Sequence, residues 1–314
     1  MSKSLGEFEL IEEIRKRFPA PLGVMGIGDD CAILPQRNGY ETLVSADLLV
    51  EGVHFLMDDI TPEQLGWKSV AVNLSDIAAM GGRPIATFLS IALPPTVSDD
   101  WVRRFMEGYH QLSELYLTPL LGGDTTRSLE RLCINVTVLG EARKGQSRRR
   151  DSAQVGDLVC VTGPLGDSAA GLQAILQQVE RDEVVERLIK RHYEPMPRVD
   201  YGFQLSLCES VHAMMDISDG IGSDLHHILK ASGVGATIDV AKIPHSDDLS
   251  LLCQRQGWDW RKLAIGGGED YELLFTLGRD ADPGIPYKVI GSITSDAGIR
   301  WNGMEEDVLG FRHF

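Results

Sequence analysis

The feature that most restricts this chain is one carboxylate in apolar company. In the run Asn73-Leu74-Ser75-Asp76-Ile77-Ala78-Ala79-Met80-Gly81-Gly82, Asp76 stands among small and aliphatic side chains. An ionised carboxylate is tolerated in such a setting only when it is paired, hydrogen-bonded or bound to a metal. Two readings stay open: Asp76 caps a neighbouring turn, or it ligates a cation. Thr61-Pro62-Glu63-Gln64 starts a helix well, with Thr61 as cap, Pro62 at the first helical position and Gln64 closing a capping box. That helix carries Asp76 near its C-terminal end, where the helix dipole disfavours an anion and a nearby cation would relieve it.

Other acids repeat this setting. Gly26-Ile27-Gly28-Asp29-Asp30 places acids beyond close glycines, and Thr42-Leu43-Val44-Ser45-Ala46-Asp47 reads as a strand ending in a hydroxyl and an acid. Leu120-Leu121-Gly122-Gly123-Asp124-Thr125-Thr126 reads as a glycine turn with hydroxyls, and Asp216-Ile217-Ser218-Asp219-Gly220 precedes a helix through Leu225, Ile228 and Leu229. Gly266-Gly267-Gly268-Glu269-Asp270-Tyr271 leads into a strand from Leu273 to Leu277. Strands are also expected over Ile85 to Leu93, Leu132 to Leu139 and Leu158 to Thr162, with a helix from Ala169. The turn Gly163-Pro164-Leu165-Gly166-Asp167-Ser168 before that helix is of the kind that receives anions. Trp101, Phe105, Tyr109, Leu112 and Tyr116 recur at helical spacing, and core packing accounts for all of them but Tyr109. Lys144 to Asp151, with Arg148, Arg149 and Arg150, reads as a solvated interdomain connection, and Met1 to Phe18 as an amphipathic helix around Leu10, Ile11, Ile14 and Phe18.

Several classes are excluded. A net charge of -16 opposes broad contact with nucleic acid, which depends on Lys and Arg neutralising phosphates. No apolar stretch reaches the length of a membrane span, and the N-terminus lacks the core of a secretion signal, so the cytoplasm is the expected compartment. The 5 cysteines are scattered without a Cys-x-x-Cys pair, which points to buried thiols rather than disulfides or zinc. Neither the dinucleotide fingerprint, the phosphate loop, the protein-kinase motifs nor an EF-hand loop is present.

If the scattered acids converge, they need cations. Two carboxylates about 4 Å apart repel by roughly 4 kcal/mol at an effective dielectric of about 20. Oxygen ligands with few His or Cys beside them select a hard ion, most naturally Mg²⁺, which shares its shell with substrate phosphates. That combination points to phosphoryl transfer. No His or Lys stands out as a general base, which suits a phosphate acceptor, already ionised at neutral pH because its second pKa is about 6.

Taken together and in order, Gly26-Ile27-Gly28-Asp29-Asp30, Asn73-Leu74-Ser75-Asp76, Gly122-Gly123-Asp124-Thr125-Thr126, Asp216-Ile217-Ser218-Asp219-Gly220 and Gly267-Gly268-Glu269-Asp270-Tyr271-Glu272 resemble the thiamine-monophosphate kinase family over nearly the whole chain. The resemblance implies ATP-dependent phosphorylation of thiamine phosphate to thiamine diphosphate. It also implies the two-domain fold of aminoimidazole ribonucleotide synthetase: an N-terminal α/β domain over residues 1–146 that pairs through its sheet in a homodimer, and a C-terminal α+β domain over residues 147–314. By the same resemblance Asp30, Ser45, Ala46 through its carbonyl, Asp47, Asp76, Asp124, Asp216 and Asp219 surround several Mg²⁺ ions, with Asp124 and Asp216 nearest the transfer. Gly123, Asp124, Arg150, Ser218 and Tyr109 meet ATP, and His54, Glu269 and Phe311 meet thiamine phosphate, where an aromatic face and a carboxylate suit the cationic thiazolium. Arg150-Asp151-Ser152-Ala153 departs from the family's Arg-Ser-Gly-Ala, which leaves the choice among Arg148, Arg149 and Arg150 open, and Phe311 stands where Tyr or another aromatic is expected. A lone His in the setting of His54 is more often structural than functional. The competing readings are a synthetase of the same fold that activates another acceptor, and a scaffold holding structural metal.

Overall fold

The computed structural model describes residues 13–22 and 38–304. Leu10, Ile11, Asp30, Cys31 and Phe311 lie outside them; of the expected first helix, residues 13–17 are helical and Phe18 is buried. The described residues group into two compact units, one within 1–77 and 83–144 and the other within 78–82 and 145–314.

In the N-terminal unit, strands β1 (Tyr40–Val50), β2 (Arg83–Leu93), β3 (Leu120–Arg127) and β4 (Cys133–Arg143) form a sheet in the order β1-β4-β2-β3. Only β2 and β3 run parallel. Along β4 the period-2 alternation is clean: Ile134, Val136, Val138, Gly140 and Ala142 are buried and the residues between them are partly exposed. Helix α1 (Pro62–Ala79), as far as Ile77, and helix α2 (Asp99–Leu115) belong to the same unit, and Ile77 of α1 lies against Gly140 of β4. The capping box at the start of α1 forms as expected: Gln64 N–H donates to Thr61 Oγ1 at 3.2 Å, and Thr61 N–H to Gln64 Oε1 at 3.1 Å. Such a cap contributes about 1 kcal/mol. The two helices cross backbone to backbone. A Cβ on Gly108 would stand 1.8 Å from Glu63 O, and one on Gly66 2.0 Å from Phe105 O, so no side chain fits at either position.

The Gly122-Gly123-Asp124 segment, expected as a turn, is instead the middle of β3. A Cβ on Gly123, whose φ is +151°, would meet Leu89 O at 1.7 Å. The missing side chain lets β3 pair on β2 rather than letting the chain reverse.

In the C-terminal unit, β5 (Leu158–Val161), β6 (Val211–Asp216), β7 (Gly235–Asp239), β8 (Leu273–Leu277), β9 (Lys288–Thr294) and β10 (Gly298–Asn302) form a mixed sheet in the order β10-β7-β9-β5-β8-β6. Every residue of β8 is buried, which explains its unbroken apolar run; its Thr276 is satisfied by accepting from Ala213 N–H at 3.0 Å. The helices are α3 (Asp167–Leu176), α4 (Glu183–Tyr193), α5 (Val199–Ser206), α6 (Ile221–Ser232), α7 (Asp247–Gln256) and α8 (Trp260–Gly266). Leu225 and Ile228 of α6 are wholly buried and share a core with Val159, Val161 and Leu274, each fully buried side chain adding roughly 1.5–3 kcal/mol. Of the described cysteines, Cys160 and Cys253 are buried, whereas Cys133 and Cys208 are partly exposed, so the expectation of buried thiols holds for the first pair alone.

Candidate active site

In the N-terminal unit the site is built where the middle of β1 lies beside α1; the strand expected to end at Asp47 runs on to Val50. Ser45 Oγ donates to Asp76 Oδ2 at 2.5 Å, so the half-buried Asp76 answers a strand hydroxyl. Asp47 is pinned through its backbone by two asparagines: its N–H donates to Asn73 Oδ1 at 3.1 Å, and its carbonyl accepts from Asn135 Nδ2 at 3.0 Å. Asn73 in turn donates to Ser69 O at 3.0 Å, a helical i−4 bond that fixes its amide. Burial first, and the charge of Asp76 second, push the Asp47 carboxyl up to about 6. Ala46, between them, faces solvent.

Asp124 is not beside this group. In the sheet order β1-β4-β2-β3, the register Asp47–Val136–Leu89–Gly123 runs across all four strands, which puts Asp124 at the far edge, about 14 Å away at roughly 4.8 Å per strand. There Gly123 and Asp124 line a cavity whose walls include Leu89, Ile91, Val102 and Met106. His54 follows β1 in a turn, where its Nδ1 accepts from Val50 N–H at 3.0 Å; that tautomer leaves the proton on Nε2.

Tyr109, expected at the nucleotide, is a correction. It is 0% exposed, its hydroxyl donates to Thr87 Oγ1 at 2.8 Å, and Phe18 meets its ring edge-on at 5.9 Å. It belongs with the rest of the aromatic stripe, in the core.

In the C-terminal unit β6 delivers Asp216, 3% exposed, to the loop before α6. Ile217 N–H donates to Glu272 O at 2.8 Å, Glu269 N–H to Ser218 O at 2.7 Å, and Tyr271 N–H to Ile217 O at 2.9 Å. The loop that carries Ser218 and the loop that carries Glu269 are thus zipped together through their backbones. Asp224, on the first turn of α6 and 1% exposed, accepts from Asp219 N–H at 3.2 Å. Burial, Asp216 and Asp219, in that order, push its carboxyl up to about 8.

The three adjacent arginines have different tasks. Arg148 Nη2 donates to Ser206 O at 2.6 Å and Cys208 O at 3.0 Å, closing the carbonyl end of α5. Arg149 is paired with Asp151. Arg150 is exposed and pairs with no carboxylate among the described residues, while Ser232 Oγ holds its carbonyl at 2.9 Å. Its charge reaches His227, whose imidazole is held below its usual value by burial first and by Arg150 second, with Asp219 opposing.

The glycine turn before α3 is filled from within the chain. Asp270 accepts from Gly166 N–H at 2.8 Å and from Ser168 N–H, while burial raises its carboxyl well above the usual carboxylate range, so the chain's own acid occupies that helix N-terminus. Glu269 lies beside it, its side chain 25% exposed, lining a cavity with Ser168, Met196, Arg191 and Arg198.

Sequence reasoning missed Asn73, Asp224 and His192. Asn73 stands one helical turn before Asp76, a spacing visible in advance; for the other two the sequence carries no comparable signal. Among the described residues no three His, Cys, Asp or Glu side chains stand together as a ready metal site. The donors that do gather, a hydroxyl with two carboxylates on one unit and acids around Ser218 on the other, are all oxygen and suit a hard cation that takes one or two carboxylates and fills its shell from phosphate and water.

The N-terminal-domain model of the AIR synthase related proteins matches residues 28–142, and the C-terminal-domain model matches residues 154–278. A thiamine-monophosphate kinase from Aquifex aeolicus (strain VF5) is 38% identical over 314 residues, covering 99% of each chain. Among solved structures, thiamine-monophosphate kinase from Stenotrophomonas maltophilia K279a has a TM-score of 0.86 at 38% identity, covering 97% of this chain and 99% of that one. The structure of AaThiL complexed with AMPPCP and TMP has a TM-score of 0.83 at 37% identity, covering 99% and 97%.

Proposed function

The chain belongs to the thiamine-monophosphate kinase family and carries out the ATP-dependent phosphorylation of thiamine phosphate to thiamine diphosphate, and we propose the part each residue plays in it. Gly123 and Asp124 receive the nucleotide at the cavity lined by Leu89, Ile91, Val102 and Met106, whose apolar walls suit a purine. Ser218 and Arg150 meet its phosphates. Arg150 is the arginine for this task because Arg148 and Arg149 are committed to Cys208, Ser206 and Asp151.

Several Mg²⁺ ions would be held: Ser45, the Ala46 carbonyl, Asp47 and Asp76 would supply ligands on one side of the N-terminal unit, Asp124 at the other edge of its sheet, Asp216 and Asp219 on the C-terminal unit, and Asp30 from the N-terminal part of the chain. When bound, they supply Lewis-acid stabilisation of charge on the phosphoryl oxygens. Glu269 faces the thiazolium cation, with His54 and Phe311 as further contacts to thiamine phosphate. The acceptor phosphate is already an anion, so no residue need remove a proton before in-line attack on the terminal phosphoryl group. The work left to the protein is alignment and neutralisation.

Asp47 carries this reading furthest. Its backbone is fixed by Asn73 and Asn135 beside Asp76, in an arrangement whose carboxyl charge a bound cation would relieve at neutral pH. A second copy of the chain covers β1, an edge strand whose outward Val44 and Leu48 are 63% and 54% exposed, an apolar row that solvent alone does not favour. The cytoplasm is the working compartment; no described helix is long and apolar enough to cross a membrane.

Purified protein supplied with ATP, Mg²⁺ and thiamine phosphate forms thiamine diphosphate and ADP, separable by chromatography. Turnover with a different acceptor and none with thiamine phosphate would indicate a synthetase of the same fold instead.

A further inference from the structure

Behind Glu269 stands a side chain to which the reaction as described gives no task. His192, on α4 and 2% exposed, turns Nδ1 to Glu269 Oε2 at 3.1 Å and to Ser168 Oγ at 3.0 Å. A carboxylate only accepts, so Nδ1 carries the proton whether the ring is neutral or charged, and Ser168 Oγ is its second acceptor. From the other side the backbone fixes the same residue. Glu269 and Tyr271 have φ of 61° and 51°, left-handed values that side chains with a Cβ rarely adopt, and the bonds to Ser218 O and Ile217 O hold them there. A glutamate at a cavity mouth would ordinarily sample several rotamers. This one is held by a buried imidazole and a strained loop.

We propose that His192 is a positioning residue for the acceptor: it fixes the Glu269 carboxylate in the orientation that meets the thiazolium cation, and so sets affinity for thiamine phosphate without entering phosphoryl transfer. The inference rests on the assignment of Glu269 to thiamine phosphate made above. A carboxylate held in place before binding loses less conformational freedom when the ligand arrives. The effect therefore falls on acceptor binding, and neither ATP binding nor the chemical step depends on it.

The test compares two polar replacements. His192→Asn places an amide N–H where Nδ1 stands, whereas His192→Gln places it near Nε2 and leaves Glu269 without its donor. Affinity for thiamine phosphate is measured by isothermal titration calorimetry with a nonhydrolysable ATP analogue present, and KM for each substrate and kcat are measured alongside. His192→Gln is expected to weaken thiamine phosphate binding about tenfold, with KM for ATP and kcat within twofold, and His192→Asn to recover most of the loss. In a Glu269→Gln background, His192→Gln should add less than twofold. Equal losses for Asn and Gln, or losses shared by kcat and both KM values, would reduce His192 to a packing residue. Thiamine phosphate binding unchanged in His192→Gln but weakened in Glu269→Gln would overturn the inference and leave the Glu269 assignment standing. Unchanged binding in Glu269→Gln would remove that assignment, and the inference with it.

Discussion

Asp47 and Asp76 show how a single residue's surroundings decide its use. Ser45 satisfies one oxygen of Asp76, and Asn73 orients Asp47 from the same helix. Replacing Asp76 with Asn keeps the shape and an acceptor for Ser45 but removes the charge. The expected result is a fall in kcat of about 100-fold or more, with a melting temperature within a few degrees of wild type; gross unfolding would support the capping reading. The raised carboxyls make a second prediction. Asp47 at about 6 and Asp224 at about 8 both lie above the ordinary 3.8, so the folded chain keeps protons that the unfolded chain has released. Without divalent cations, stability conferred by these groups is present near pH 4 and is lost as pH rises through 6 and then 8. Added Mg²⁺ should therefore raise the melting temperature more at pH 8 than at pH 5, and Asp224→Asn should flatten the pH slope of the metal-free protein; equal shifts at both pH values would contradict this. The candidate acids stand out in the sequence because each has Gly, Ser or Thr within two residues. Asp224 and His192 were not legible, since they reach their partners only through the tertiary fold, and Tyr109 was misread because an aromatic at helical spacing looks the same in a core and at a ligand.

At the scale of elements, backbone contact sets the sharpest demands. Gly108 has Glu63 O where its Cβ would be, and a backbone carbonyl on a capped helix has nowhere to go. Gly108→Val should lower unfolding free energy by about 3 kcal/mol in urea titrations, or prevent folding altogether. Helix α1 could be read in advance because its capping box is local, and β8 because a fully buried strand is an unbroken apolar run. Strand β3 could not. Two glycines before an acid signal a turn unless a neighbouring strand comes close enough to need them, and that neighbour, β2, is far away in sequence. The turn before α3 was expected to receive an anion, and the group seated there, Asp270, arrives from a loop 104 residues on.

For the whole molecule, the α/β and α+β architecture with a sheet in each unit was legible from the ordered set of acidic glycine motifs, since such a series specifies a family and the family specifies a topology. The state of association is a separate matter. If a second copy covers β1, Leu48→Glu together with Val44→Lys should halve the mass found by light scattering while circular dichroism stays unchanged; an undiminished mass would place the interface elsewhere. The backbone zip between the Ser218 loop and the Glu269 loop has a consequence for engineering. A designer wishing to redirect such an enzyme toward another phosphorylated alcohol by way of the Glu269 loop would have to transplant both segments as one cassette, because a foreign loop grafted alone would tug the Ser218 loop out of register.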